Sequence, residues 1–93
     1  MVLLELVRPF YVGGTVTGLT GTLILQNNGA DNLIIISAGP DVTFHFATGI
    51  LRNQPYDVTV YSEPADQDCT VSNGTGTIDN SDITDVTVEC VTP

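Results

Sequence analysis

Short runs in which apolar and polar residues alternate dominate the chain after its first ten residues. The runs are rich in Val, Ile, Thr and Tyr, and Gly, Asn, Asp and Pro separate them. Because successive side chains of a β-strand point to opposite faces, this period of two predicts half-buried strands and no helix of useful length. The predicted strands span residues 11–17, 22–26, 32–37, 42–47, 56–62, 69–72, 76–78 and 84–91.

The alternation also assigns side chains to faces. Three rows are predicted to point inward: Val42, Phe44 and Phe46; Tyr56, Val58 and Val60; Val86, Val88 and Cys90. Residues 33–36 are continuously apolar, so they are expected to be covered on both faces or to pack beneath a loop. Seven to eight short strands with one-sided faces predict an all-β, two-sheet antiparallel β-sandwich that spans residues 11–93.

Residues 1–10 form a separate apolar segment ahead of this module. Val2, Leu4 and Leu6 share one face of an extended chain, and Pro9 then interrupts the run. A free apolar tail would aggregate in water, so it needs a partner. Two hypotheses are open: the segment pairs as an edge strand of its own sheet, or it is donated to a neighbouring copy by β-augmentation. A short helix or disorder is the remaining alternative.

Composition excludes several classes of function. The 93 residues include eleven acidic side chains against Arg8 and Arg52, for a net charge of −9. Such a surface repels phosphate backbones and lacks a polybasic face, which disfavours nucleic acid and anionic membranes as partners. No apolar run approaches the length of a membrane-spanning helix, and the opening residues make a poor signal peptide because they lack a basic region. If the protein is exported, we expect that its signal has already been removed or that the chain is one module of a longer protein.

Cys69 and Cys90 are the two cysteines, and both fall on inward rows of two different strands. This placement favours a disulfide that closes a loop of about 20 residues and contributes roughly 3 kcal/mol, and it predicts an oxidising, extracellular compartment. The alternative is a buried reduced pair in a cytosolic protein. Zinc would require further ligands, and the single histidine is remote in sequence.

Other candidates for chemistry are weak. His45 is the only general base near neutral pH, and it lies on the polar face of its strand, so no enzyme is predicted. Asp79, Asp82 and Asp85 offer oxygen ligands in one loop, with Asp66 and Asp68 as a second pair, and they are weak candidates for calcium. Apart from calcium, no cofactor is expected. Asn73-Gly74-Thr75 has the form of a glycosylation sequon but is also a typical hairpin turn.

The order of short motifs resembles a repeat module of large bacterial surface and secreted proteins. These modules open with GTVxGLxGT and LQNNG, continue with FxF and YxVTV strands, and close with QxCTVxNGxGT and VxVxC. The matching residues in this chain are Gly14 to Val16, Leu19, Gly21, Thr22, Leu25 to Gly29, Phe44, Phe46, Tyr56, Val58 to Val60, Cys69 and Cys90.

The chain is also similar to the wider group of immunoglobulin-like and prealbumin-like surface modules, such as carboxypeptidase regulatory-like and collagen-adhesin B-type repeats. The resemblance covers roughly residues 11–91 and implies a non-catalytic extracellular sandwich, used as a structural unit of a surface protein or filament. Neighbouring copies or modules are then the expected partners. An adhesive domain that binds carbohydrate or depends on calcium is the alternative, since similar folds serve many functions.

Overall fold

The computed structural model describes residues 8–37 and 39–93, and this part of the chain contains strands and turns without a helix. The eight strands are β1 (Val12–Thr17), β2 (Thr22–Asn27), β3 (Ala30–Ile36), β4 (Asp41–His45), β5 (Pro55–Ser62), β6 (Asp68–Ser72), β7 (Thr75–Thr77) and β8 (Ile83–Val91). Each corresponds to one predicted strand, with ends that differ by at most two residues. The all-β prediction is therefore confirmed.

The strands form two sheets of four. Sheet I has the order β4-β1-β8-β6, and sheet II has the order β3-β2-β5-β7. Five of the six pairings between these strands are antiparallel, whereas β1 and β8 run parallel. The predicted sandwich is confirmed, but the expectation of a wholly antiparallel arrangement is wrong at this pair. Alternation reports which face is buried and carries no information on strand direction.

The motif LQNNG builds the β2–β3 hairpin. Asn28 and Gly29 have φ values of 56° and 71°, the positive values that a tight two-residue hairpin turn requires. The preceding Asn27 is buried, and its Oδ1 accepts a hydrogen bond of 3.0 Å from the main-chain N–H of Asp57. The first asparagine therefore ties the hairpin to β5, while the second and the glycine make the turn.

The core lies between the sheets and contains the three predicted inward rows. Phe46, Val86 and Val88 are fully buried, and Val42 and Val60 are partly buried against them. The rings of Phe44 and Phe46 meet edge to face, with centroids 6.1 Å apart. Burying a large apolar side chain stabilises a fold by about 1.5–3 kcal/mol, so these rows supply the main favourable term.

The expectation for residues 33–36 is wrong. Ile35 is buried, with 5% of its surface exposed, but Ile34 and Ile36 are 63% and 67% exposed. The strand alternates like its neighbours, because β3 lies at the edge of sheet II and the described chain covers only its inner face. An apolar run is therefore not sufficient to indicate burial on both faces.

The folded unit begins by Phe10, one residue before the predicted start of the module. Phe10 is buried and exchanges two main-chain hydrogen bonds with Ile50, of 2.8 and 2.7 Å. The guanidinium of Arg8 lies 4.9 Å from the centroid of the Phe10 ring, a cation–π distance. Phe10 therefore packs with the sandwich, directly before the predicted start of the module at residue 11.

We expect Gly14→Ala to lower the free energy of unfolding by about 1–3 kcal/mol, the cost of overpacking a closed interior. Gly14 lies opposite Val86 in the parallel pair, and a Cβ there would overlap the Val86 carbonyl group. Gly21→Ala is the matched control, since its Cβ would meet only the ring of Pro64, 3.3 Å away. Urea denaturation of the two variants measures the difference, and equal stabilities would contradict the close approach.

Candidate functional site

The disulfide joins two neighbouring strands of sheet I. Cys69 of β6 lies directly opposite Cys90 of β8, and their Cα atoms are 4.0 Å apart. Cys90 is buried and Cys69 is half-buried. The main-chain N–H of Cys69 donates to Oε1 of Glu63 at 2.6 Å, which ties the loop before β6 to the same place. The predicted disulfide is confirmed, and no free cysteine occurs in the described chain.

Gln67, two residues before Cys69, is a buried polar residue whose role the alternation of apolar and polar positions does not predict. Its Oε1 accepts from the main-chain N–H of Thr20 at 3.0 Å. Its Nε2 donates to the carbonyl of Gly18 at 2.7 Å and to Oγ1 of Thr92 at 3.4 Å. One side chain thus connects the β1–β2 loop, the start of β6 and the end of β8. In the sequence, Gln67 is marked only as the first residue of the QxC motif.

These contacts define two opposite ends of the sandwich. The end that holds Gly18, Gln67 and Thr92 is the C-terminal pole. The other end, which holds Phe10, Ile50 and the Asn28-Gly29 turn, is the N-terminal pole. Because β1 and β8 are parallel neighbours, the chain enters the sandwich at the N-terminal pole and leaves it at the C-terminal pole.

The candidate calcium ligands do not come together. Within residues 8–37 and 39–93, no three His, Cys, Asp or Glu side chains form a group that could hold a metal ion. Asp82 instead accepts a hydrogen bond of 2.9 Å from the main-chain N–H of Tyr11, and Ile83 donates to the Tyr11 carbonyl. Asp82 therefore holds the start of β8 beside the start of β1. Asp79 and Asp85 are exposed.

The remaining polar candidates lie on the surface. His45 is exposed on β4, opposite Gly13 in the β1–β4 pair. Asn73 of the sequon is exposed with a φ of 57°, and its Nδ2 donates to the Asp85 carbonyl at 3.4 Å. The predicted hairpin turn is wrong here, because residues 73 and 74 connect β6 of sheet I to β7 of sheet II and only Asn73 of the pair has a positive φ. No helix in the described part of the chain is long and apolar enough to cross a membrane.

A groove opens between the edge strands of the two sheets on one side of the sandwich. It has a volume of about 280 Å³ and is lined by residues 33–36 of β3 and 42–45 of β4. We call it the edge groove. The predicted partner strand, Val2, Leu4 and Leu6, lies outside the described residues.

Replacing Cys69 and Cys90 together by alanine is expected to lower the free energy of unfolding by about 3 kcal/mol, because the bridge closes a loop with a sequence separation of 21. Thermal melts with and without reductant provide the measurement. Reductant should destabilise the natural protein and leave the double variant unchanged. Alkylation of both sulfurs in the protein before any reduction would contradict the bridge.

Gln67→Ala is expected to cost about 1–3 kcal/mol, since it leaves the Thr20 N–H and the Gly18 carbonyl without their partner. Gln54→Ala is the matched control, because Gln54 is exposed. Chemical denaturation measures both, and a Gln67→Ala variant as stable as the control would show that water replaces the amide without loss.

Comparison with known proteins adds no relative to this description. The chain matches no family model, no curated protein and no solved structure. The resemblance to bacterial surface modules stays a prediction carried by the motifs themselves.

Proposed function

We propose that this chain is a non-catalytic structural module of an extracellular surface protein or filament, in which it serves as a spacer. The observation that carries the proposal is the parallel pairing of β1 and β8 at the centre of sheet I. Because the chain enters and leaves at opposite poles, modules joined in series extend end to end instead of folding back on one another.

The same pairing suits a module under tension. A pull on the chain ahead of Val12 and beyond Val91 draws β1 and β8 in opposite directions along their shared length. The paired stretch runs from Val12 opposite Ile83 to Thr17 opposite Glu89. In this shear geometry the hydrogen bonds between the strands share the force, whereas a peeling force would break them in turn.

The disulfide and Gln67 reinforce the pole at which the chain leaves. Cys90 lies at the end of β8 and is covalently joined to β6, and Gln67 bonds to Thr92 just beyond it. A disulfide is typical of a non-reducing compartment, which supports an extracellular setting. Since the two sulfurs are bonded to each other, neither is a thiolate nucleophile, in keeping with a non-catalytic role.

The surface charge and the motif order add support. A net charge of −9 keeps a protein soluble at high local density, as on a crowded cell surface, and it disfavours nucleic acid as a partner. The motif order resembles modules that occur singly or in tandem in bacterial surface proteins. Together with the opposite poles, these features favour a serial structural unit.

Single-molecule pulling tests the spacer role. Pulled through its two ends, the module should unfold at a higher force than when it is pulled between its N-terminal end and the Asn28-Gly29 hairpin. Those two points share the N-terminal pole, so the second geometry peels the sheets apart. Equal forces, or a lower force in the end-to-end geometry, would contradict the proposal.

The length released on unfolding gives an internal control for the force path. The oxidised chain should extend less than the reduced chain by about 7 nm, the length of the 21-residue stretch that the bridge withholds. The variant with both cysteines replaced by alanine should release the full length with or without reductant. A bridge outside the force path would leave the released length unchanged on reduction.

A further inference from the structure

The edge groove is bordered by backbone groups that have no partner among residues 8–37 and 39–93. Ser37 donates its main-chain N–H to the Gly21 carbonyl at 3.1 Å, next to the β2–β3 pair. Hydrogen-bonded and non-bonded pairs alternate along antiparallel strands, so residues 33 and 35 bond to β2. The N–H and C=O groups of Ile34 and Ile36 therefore point to the open side of sheet II.

This open edge lacks the protection that sheet edges normally carry. Charged side chains, prolines and short strands discourage pairing with other chains. The edge strand β7 has three residues, and the edge strand β6 carries the charged Asp68. By contrast, residues 33–36 of β3 are Leu-Ile-Ile-Ile, and the side chains of Ile34 and Ile36 are mostly exposed.

The surroundings of the edge groove determine which side chains a strand paired with β3 can carry. Inward side chains of that strand would fill the space beside Ile35 and opposite Phe44 of β4. Its outward side chains would lie next to Ile34 and Ile36 on the outer face of sheet II. An apolar inward face is therefore required of the added strand, and a mainly apolar outward face would also cover Ile34 and Ile36.

Residues 2–7, Val-Leu-Leu-Glu-Leu-Val, meet this requirement. In an extended strand, Val2, Leu4 and Leu6 would share one apolar face, and Leu3 and Val7 would lie on either side of Glu5 on the other. Six extended residues span about 20 Å, close to the length of the seven-residue β3. Residues 2–7 lie outside the described residues and could add to sheet II as a strand, since their apolar pattern fits the edge groove.

We propose that the edge groove of one copy takes residues 2–7 of a second copy as an added strand beside β3. The proposal rests on the structural role proposed above and adds a partner to it. Residues 2–7 of the same copy are disfavoured because the chain that follows them is fixed at the N-terminal pole. There Pro9 packs on Gly49, and Phe10 is held by Ile50 on both its N–H and its carbonyl.

Sedimentation velocity of the full chain over a range of concentrations tests this proposal. The natural sequence should associate, and Leu4→Lys should weaken association at least about tenfold by placing a charge on the inserted face. Ile34→Lys should have the same effect from the acceptor side. Val91→Lys is the control, since Val91 is 48% exposed on sheet I, away from the groove. Circular dichroism and melting establish that each variant is folded.

A synthetic peptide of residues 1–8 identifies the occupant. The peptide should bind the monomeric Leu4→Lys chain. Its affinity for the double variant Leu4→Lys/Ile34→Lys should be lower by at least about tenfold. Peptide binding together with a natural chain that stays monomeric would overturn the proposal in favour of pairing within one copy. Association that survives Leu4→Lys, or no peptide binding, would also overturn it. Pulling on a single module does not depend on association, so these results leave the spacer role to its own test.

Discussion

The parallel contact between the first and last strands is the constraint on which the rest of the structure depends. It places β1 and β8 side by side at the centre of sheet I and brings the backbone of Gly14 against that of Val86. No hairpin can make such a pair, since parallel neighbours require a connection that returns to the starting end. Here the chain between β1 and β8 is that connection. It forms all of sheet II and the two edge strands of sheet I, β4 and β6. The separation of the two poles follows directly from this pairing.

Covalent and polar links concentrate where the chain leaves the sandwich. The disulfide holds β8 to β6, and Gln67 holds the β1–β2 loop to the end of β8. The opposite pole is held by main-chain pairing between Phe10 and Ile50 and by Asp82 on Tyr11. A small domain has a modest core, so links that restrict the unfolded chain or satisfy buried polar groups are a large share of its net stability.

The two sides of the sandwich differ in a way that matters for assembly. One side ends in the short β7 and the disulfide-bonded β6, and the other ends in β3 and β4 with an apolar groove between them. An open apolar edge exposes a folded protein to aggregation unless something covers it. The proposed donation of a strand from a neighbouring copy would turn this liability into a specific contact, since the inward face of the strand has to be apolar. On that proposal, the exposed isoleucines of β3 and the apolar start of the chain belong to one contact.

Local pattern was sufficient for the strands, the inward rows and the turn at Asn28-Gly29, because these depend on side-chain alternation and on backbone conformations that few residues adopt. The meeting of Cys69 and Cys90 followed from two inward rows. Strand direction, the exposure of Ile34 and Ile36, and the role of Gln67 could not be predicted in this way. Each depends on what lies next to the residue in the folded chain. The direction of β1 and β8 depends on their pairing, the exposure of Ile34 and Ile36 on the position of β3 at a sheet edge, and the role of Gln67 on the nearby Gly18 and Thr92. The sequence alone therefore determined which residues form strands and which face turns inward, and only the tertiary structure decided their neighbours, because pairing between distant segments leaves no local periodic signal.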